Sequence, residues 1–133
     1  IFTTAAPPAV AHAVLKSLEL VACADGDARR ANLVRLQEQL RRGIAQLLAD
    51  HPYLGWQLVA SNTPVQPIII GENAATMWLA ARLDAAGLRV PGIRPPTVPK
   101  GTARLRITLC ATHTPADIDR LLRALNAAVA ESP

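Results

Sequence analysis

The fold is decided by one stretch of the sequence, IRPPTVPKGTARLRITL at residues 93–109. Its last six residues alternate strictly between polar and apolar side chains, which is the pattern of a β-strand with one side in the core. Arg104 and Arg106 then lie on the side that faces away from the core. Residues 94–101 include three prolines. Because proline neither donates to a β-ladder nor continues a helix, they predict an irregular loop.

Apolar residues at helical spacing predict four helices around this stretch. They run from Pro8 to about Ala24, from the Asp25-Gly26-Asp27 break to His51-Pro52, from an Asn73 N-cap to Gly87, and from a capping box at 114–117 through Val129. Strands are predicted at 65–70 and 88–93 in addition to 104–109. This order predicts an α/β (α+β) fold in which a small three-stranded sheet is covered on one face by helices. The other face bears the arginines.

The composition is typical of one globular domain, with 133 residues of which 50% are hydrophobic. We expect a single small domain at 1–133, with a leading segment and first helix at 1–24 and a long helix plus the sheet at 25–133. The chain opens on Ile1-Phe2-Thr3-Thr4 without a methionine. We therefore expect it to be part of a longer protein whose larger domain is absent here.

Charge and hydropathy exclude several classes of partner. The net charge is +4, but the arginines are dispersed and aromatic residues are few, so no nucleic-acid partner is expected. No apolar run approaches the ~18 residues that span a bilayer, and the start lacks the basic segment of a signal peptide. These features predict a cytoplasmic protein with no membrane partner.

Residue types that carry chemistry are sparse. Cys23 and Cys110 are far apart and without CxxC spacing, which predicts two buried free thiols and no metal site. Lys16 and Lys100 are the only lysines, and neither lies in an apolar context that would favour a Schiff-base amine. We therefore expect no catalytic residue in this chain.

Two groups of residues remain as candidates for binding. The first is the proline-rich loop, where Arg94 and Thr97 are held by a backbone whose entropy is already reduced. The second is the side of the strand with Arg104 and Arg106, because a planar guanidinium can grip a carboxylate through two hydrogen bonds. The alternatives are a plain connector for the loop and solvent-facing or ion-paired arginines for the strand.

Residues 93–109 resemble the signature of 8-amino-7-oxononanoate synthases, within the α-oxoamine synthase family of fold-type I pyridoxal-phosphate enzymes. The segment TPVQPIIIG at 63–71 is similar to that family's preceding strand, and Phe2-Thr3-Thr4 with Pro7-Pro8 resembles the segment that leads into its small domain. The resemblance covers essentially the whole chain, but only the carboxy-terminal small domain of such an enzyme.

The resemblance implies roles for individual residues. Arg106 matches the arginine that grips the amino-acid carboxylate, and Arg94, with Thr97 beside it, matches the arginine of the loop that meets the carboxylate or the incoming thioester. Thr3 or Thr4 matches a residue that reaches the phosphate of the cofactor, pyridoxal 5′-phosphate, in the neighbouring subunit of a homodimer. Arg104 is expected to face outward or to pair structurally.

The implied reaction is the decarboxylative condensation of L-alanine with pimeloyl-CoA, or its carrier-protein equivalent, in biotin biosynthesis. The chain alone is expected to be inactive and not to bind the cofactor. Two alternatives stay open: another α-oxoamine synthase similar to 2-amino-3-ketobutyrate CoA ligase, which shares the Arg-x-Arg strand, or a non-catalytic interaction module.

Overall fold

A computed structural model describes residue 5 and residues 7–131 of the chain. Four strands form one antiparallel sheet, in the spatial order β1-β2-β4-β3. The strands are β1 (Gln57–Leu58), β2 (Val65–Gly71), β3 (Gly92–Ile93) and β4 (Ala103–Thr108). The predicted fold class is confirmed, with one strand more than the three expected, because the short β1 pairs with the middle of β2.

β3 is shorter than the predicted strand at 88–93. The backbone N–H of Arg106 still donates to the Pro91 oxygen over 3.0 Å, so the chain remains beside β4 for one more residue. Pro91 has no N–H to return, and the ladder ends there.

The chain forms four α-helices: α1 (Pro8–Ala22), α2 (Ala24–Asp50), α3 (Asn73–Ala85) and α4 (Pro115–Ala130). The last three contribute residues to the core on one side of the sheet. The break predicted at 25–27 was wrong, since only Cys23 separates α1 from α2. Asp25 and Asp27 lie in the first turn of α2, where carboxylates favour the helix N-terminus. Gly26 has no side chain to collide with the carbonyl oxygens at the end of α1, which therefore come close.

The predicted ends of the last two helices are largely confirmed. Thr114 Oγ1 accepts from the Asp117 N–H and Asp117 Oδ2 accepts from the Thr114 N–H, which is a complete capping box. Gly87, at φ 74°, ends α3 in a Schellman motif. The prediction that Asn73 is the N-cap of α3 was wrong. That position belongs to Glu72, and no side chain caps the helix.

The core lies between the helices and one face of the sheet. The strands contribute alternate residues to this covered face, and α2, α3 and α4 close it from outside. Its fully buried side chains include Leu40, Ile68, Leu105 and Leu125. Gly43 lets α4 approach α2 closely, because Leu122 fills the space where a Cβ would stand. This contact explains a glycine inside a helix, where it would otherwise cost about 1 kcal/mol relative to alanine.

α1 differs from the other helices because it buries no residue within the described part of the chain. Its exposed apolar side chains include Val10, Val14, Leu15 and Leu18, each more than half exposed. No helix of the described residues has the length and apolar character needed to cross a membrane.

Both cysteines are exposed, so the prediction of two buried thiols was wrong. Cys23 stands at the junction between two helices. The alternation between buried and exposed residues in β4 continues just beyond the strand. Cys110 follows buried Leu109 and therefore points outward.

Candidate functional site

The uncovered side of the sheet, which we call the open face, carries the strand arginines. Its residues are Gln57, Val65, Pro67, Ile69, Ile93, Arg104, Arg106 and Thr108. Each of them is at least partly exposed, whereas their neighbours along β2 and β4 are buried. The strict alternation of the sequence thus divides the sheet into an apolar face and a face available to a ligand.

Arg106 is exposed near the centre of the open face. Pro67 is its register partner on β2, and Pro91 lies on its other side and accepts its backbone N–H. Neither proline ring has a polar atom with which a guanidinium could pair. Among residues 5 and 7–131, the four ion pairs all lie on helices or at their ends, and no hydrogen bond engages the Arg106 side chain. Its five N–H donors are free to meet an anion.

The proline loop (residues 94–101) connects β3 to β4 at one end of the open face. It begins with a turn in which the Thr97 N–H donates to the Arg94 oxygen over 3.1 Å, around a cis peptide bond between Pro95 and Pro96. Arg94 and Thr97 are both exposed. The irregular loop predicted from the sequence is confirmed, and Arg94 directly follows Ile93, the β3 residue paired with Arg104.

Arg104 is held quite differently from Arg106, although it lies only two residues away on the same face. It is partly buried, and its Nε donates to the Thr102 oxygen over 3.0 Å while its Nη2 donates to Thr102 Oγ1 over 3.1 Å. The expectation that Arg104 pairs structurally agrees with these bonds. The partner of Arg104 was not predicted from the sequence, although Thr102, two positions before it in an extended segment, has its side chain on the same side of the chain.

Of the three predicted substrate-binding residues, Arg94 and Thr97 are joined by the hydrogen bond of the loop turn, and Arg106 is separate from them. Arg106 lies on the sheet, while Arg94 and Thr97 lie in the adjoining loop, and no hydrogen bond joins the loop residues to Arg106 among the described residues. Thr3 and Thr4, the predicted phosphate ligands, lie outside the described residues.

Neither lysine lies in the environment that a Schiff-base amine requires. Lys16 is on the exposed surface of α1, 2.8 Å from Glu19, and Lys100 is exposed in the proline loop, so neither amine is desolvated. No group of three or more potential metal ligands occurs within residues 5 and 7–131. The chemistry that the open face offers is that of arginine guanidinium groups, which pair well with carboxylates and other anions.

A second polar group lies beyond the far end of β4. Cys110 Sγ is 3.0 Å from Thr112 Oγ1, and this hydrogen bond lowers the pKa of the Cys110 thiol. The Cys110 N–H donates to His113 Nδ1 over 3.2 Å. The Thr114 hydrogen bonds likewise lower the pKa of the Asp117 carboxyl at the start of α4. These contacts stabilise the turn between β4 and α4, at the opposite end of the strand from the proline loop.

Comparison with known families gives this arrangement a context. Residues 1–125 match the family model described as aminotransferase class I and II. The chain belongs to this family. Sequence relatives within the family are 8-amino-7-oxononanoate synthases: 58% of 133 residues are identical to the protein from Polaromonas sp. strain JS666, and 59% of 131 residues to that from Cupriavidus taiwanensis. The resemblance predicted from residues 93–109 is confirmed.

The match covers nearly all of this chain but only part of each relative. It covers 100% of this chain and 33% of the Polaromonas protein, and 98% of this chain and 32% of the Cupriavidus protein. The chain thus spans about a third of the length of the curated relatives it matches.

Solved structures of the family share the fold. A variant of a serine palmitoyltransferase from S. paucimobilis, solved with a bound PLP–myriocin aldimine, superposes with a TM-score of 0.80 at 26% identity, covering 98% of this chain and 31% of that one. The 8-amino-7-oxononanoate synthase from Francisella tularensis superposes with a TM-score of 0.72 at 25% identity, covering 98% and 36%. The TM-score is thus slightly higher for the palmitoyltransferase, while the Polaromonas and Cupriavidus oxononanoate synthases have far higher sequence identity to this chain than either solved structure. Both superpositions cover nearly the whole of this chain, which confirms the predicted fold class.

Proposed function

We propose that the chain is the carboxy-terminal small domain of an 8-amino-7-oxononanoate synthase, and that Arg106 binds the carboxylate of L-alanine. The observation that carries the proposal is an exposed guanidinium on the open face, flanked by two prolines and without a partner among the described residues. Because neither flanking proline ring offers an acceptor, the proposed partner of this guanidinium is the carboxylate of the substrate.

The reaction in this proposal is the condensation of L-alanine with a pimeloyl thioester, on CoA or a carrier protein, with loss of carbon dioxide. Pyridoxal 5′-phosphate supplies the electron sink for such chemistry, and the remainder of the enzyme would hold it. Arg106 fixes the amino acid through its carboxylate, so that the bonds to its α-carbon are presented in one orientation. We assign Arg94, with Thr97 beside it, to the approach of the thioester.

The same proposal includes the parts of the enzyme that lie outside the described structure. The complete enzyme would be a cytoplasmic homodimer, in which Thr3 or Thr4 reaches the cofactor phosphate of the neighbouring subunit. Residues 1–24 would lead from the large domain, and residues 25–133 would form the small domain proper. The uncovered apolar side of α1 agrees with a chain that continues into a larger body.

Kinetics of the complete enzyme test the assignment of Arg106. Arg106→Ala should raise the KM for L-alanine and lower kcat/KM by about 100-fold, because a charged hydrogen-bonded pair is lost. Arg123→Ala, at an exposed arginine of α4, serves as the control and should leave both constants unchanged. Unchanged alanine kinetics in Arg106→Ala would refute the assignment.

The choice of amino acid and thioester separates this reaction from related ones. High identity to oxononanoate synthases favours alanine with a pimeloyl thioester, while the similar palmitoyltransferase structure keeps serine with a longer acyl chain as the alternative. Assays of glycine, alanine and serine with several thioesters, on the complete enzyme, distinguish them. Preference for serine or glycine would overturn the proposed substrate but not the role of Arg106.

A non-catalytic interaction module is the second candidate, and the exposed apolar side of α1 is the observation that favours it. Intact-mass measurement on the natural protein decides between the two. A longer chain supports the enzyme, and a natural product of this size supports the module.

A further inference from the structure

We propose that Arg104 is a positioning residue that holds the proline loop in the place from which Arg94 acts. The inference rests on the proposed function, because it assigns Arg104 a role only through Arg94. A general structural role would affect every step of the reaction. The positioning role predicts instead that Arg104 affects the use of the acyl thioester and that this effect passes through Arg94.

Arg104 contacts both ends of the proline loop. Its backbone pairs with Ile93, the residue immediately before the loop, in the β3–β4 ladder. Its side chain makes two hydrogen bonds to Thr102, the residue immediately after the loop, at 3.0 and 3.1 Å. One residue thereby fixes the distance between the two points at which the loop leaves and rejoins the sheet.

The bonds continue from Thr102 into the loop. Thr102 Oγ1 donates to the Pro99 oxygen over 2.8 Å, and the Thr102 N–H donates to the same oxygen over 3.2 Å. The Thr102 hydroxyl thus accepts from Arg104 and donates to Pro99, which links the guanidinium to the last proline of the loop. Because three of the loop's residues are prolines, fixing one end restricts the path of the whole segment.

The geometry of the guanidinium suits this role. Its planar fork reaches a backbone oxygen and a hydroxyl of the same residue at once, which a lysine amine on a flexible stem reproduces poorly. The partial burial of Arg104 reduces competition from water for these bonds, in contrast to exposed Arg106. Arg104 is therefore occupied by Thr102, and its effect on a substrate must pass through the loop.

A double-mutant cycle in the complete enzyme tests this coupling. Arg104→Ala should lower kcat/KM for the acyl thioester by about tenfold, the equivalent of one charged hydrogen bond, and should leave the KM for L-alanine nearly unchanged. In an Arg94→Ala background the same substitution should have less than about a twofold further effect, because the residue it positions is gone. In an Arg106→Ala background it should keep its full tenfold effect.

Variants of Thr102 test the same hydrogen bonds even if the Arg104→Ala enzyme fails to fold. Thr102→Val removes the hydroxyl at nearly constant shape and should reproduce part of the loss, while Thr102→Ser retains the hydroxyl and should restore normal kinetics. Arg104→Lys should fall between wild type and Arg104→Ala.

Hydrogen exchange supplies a readout that does not depend on activity. In the complete enzyme, the Thr102 amide, bonded to Pro99, should exchange about tenfold faster in Arg104→Ala than in wild type. The amides of α4 should be unchanged. Faster exchange throughout the sheet and helices would mean a general loss of stability and would overturn the positioning role.

The outcomes separate failure of this inference from failure of the proposed function. If Arg94→Ala and Arg106→Ala leave the kinetics unchanged, the proposed function fails and the inference falls with it. If both reduce activity but Arg104→Ala has no effect, or keeps its full effect without Arg94, only the positioning role is overturned.

Discussion

The two faces of the sheet are built from the same strands but differ in their roles. On the covered face, Ile68 and Leu105 are register partners with no more than 1% of their surface exposed. On the open face, Pro67, the residue before Ile68, is paired with exposed Arg106, the residue after Leu105. A slip of one residue in register would exchange the two faces. Stability and ligand binding are therefore both fixed by the register between β2 and β4.

Two neighbouring isoleucines provide the most direct contrast between the faces. Ile68→Ala should lower the free energy of unfolding by about 3 kcal/mol, since it removes buried methyl groups and leaves a cavity. Ile69→Ala, on the open face, should lower it by about 1 kcal/mol. Denaturant unfolding of the 133-residue chain measures both. Equal losses would show that the two faces are buried to the same extent.

The capping box sharpens the contrast, because α4 is one of the helices that cover the sheet. Thr114→Ala should lower the free energy of unfolding by about 1 kcal/mol at pH 7. The hydrogen bonds from Thr114 lower the pKa of Asp117 in the folded state. The stabilisation they give is thus present above the unfolded pKa of about 4, and it is lost as the pH falls through the lower folded pKa.

Unfolding measured from pH 7 down to about pH 2 should therefore show the Thr114→Ala difference becoming smaller below about pH 4. Asp117→Asn removes the titrating group and is the control, since its own stability should lack this component of the pH dependence. A Thr114→Ala difference that grew toward low pH would contradict the capping geometry.

The smallest expected effect concerns Cys110, which follows β4 and points outward. Alkylation of Cys110 by iodoacetamide near pH 7 should slow by about twofold in Thr112→Val, because the Thr112 hydrogen bond that lowers the thiol pKa is lost. Thr112→Ser should keep the wild-type rate. Mass spectrometry of each modified peptide measures the rates. A Cys110 that resists alkylation in the folded chain would place it in the core instead.

Local signals in the sequence were enough to predict much of the fold. The alternation at 104–109 predicts a half-buried strand because burial on one side leaves a period of two. Thr114 and Asp117 stand at capping-box spacing, and Gly87 supplies the positive φ that ends a helix. Each of these features depends on residues within one or two turns of each other.

Features that depend on distant residues could not be predicted in this way. β1 is only two residues long, and it is a strand because Ile68 and Ile69 lie beside it. The apolar residues of α1 have the spacing of a helix that packs into a core. In the described structure none of its residues is buried, and its own sequence does not reveal this. The bonds between Arg104 and Thr102 likewise depend on the path of the loop. The candidate site was found through family resemblance as much as through pattern.

The central claim is that Arg106 binds a carboxylate, and a substrate that lacks this group tests it most directly. Binding of L-alanine and of L-alaninamide is measured by titration of the complete enzyme, as wild type, Arg106→Ala and the control Arg123→Ala. Wild type and the control should prefer alanine by about 100-fold, and Arg106→Ala should reduce that preference to about threefold or less. An Arg106→Ala enzyme that still discriminates fully against the amide would contradict the claim.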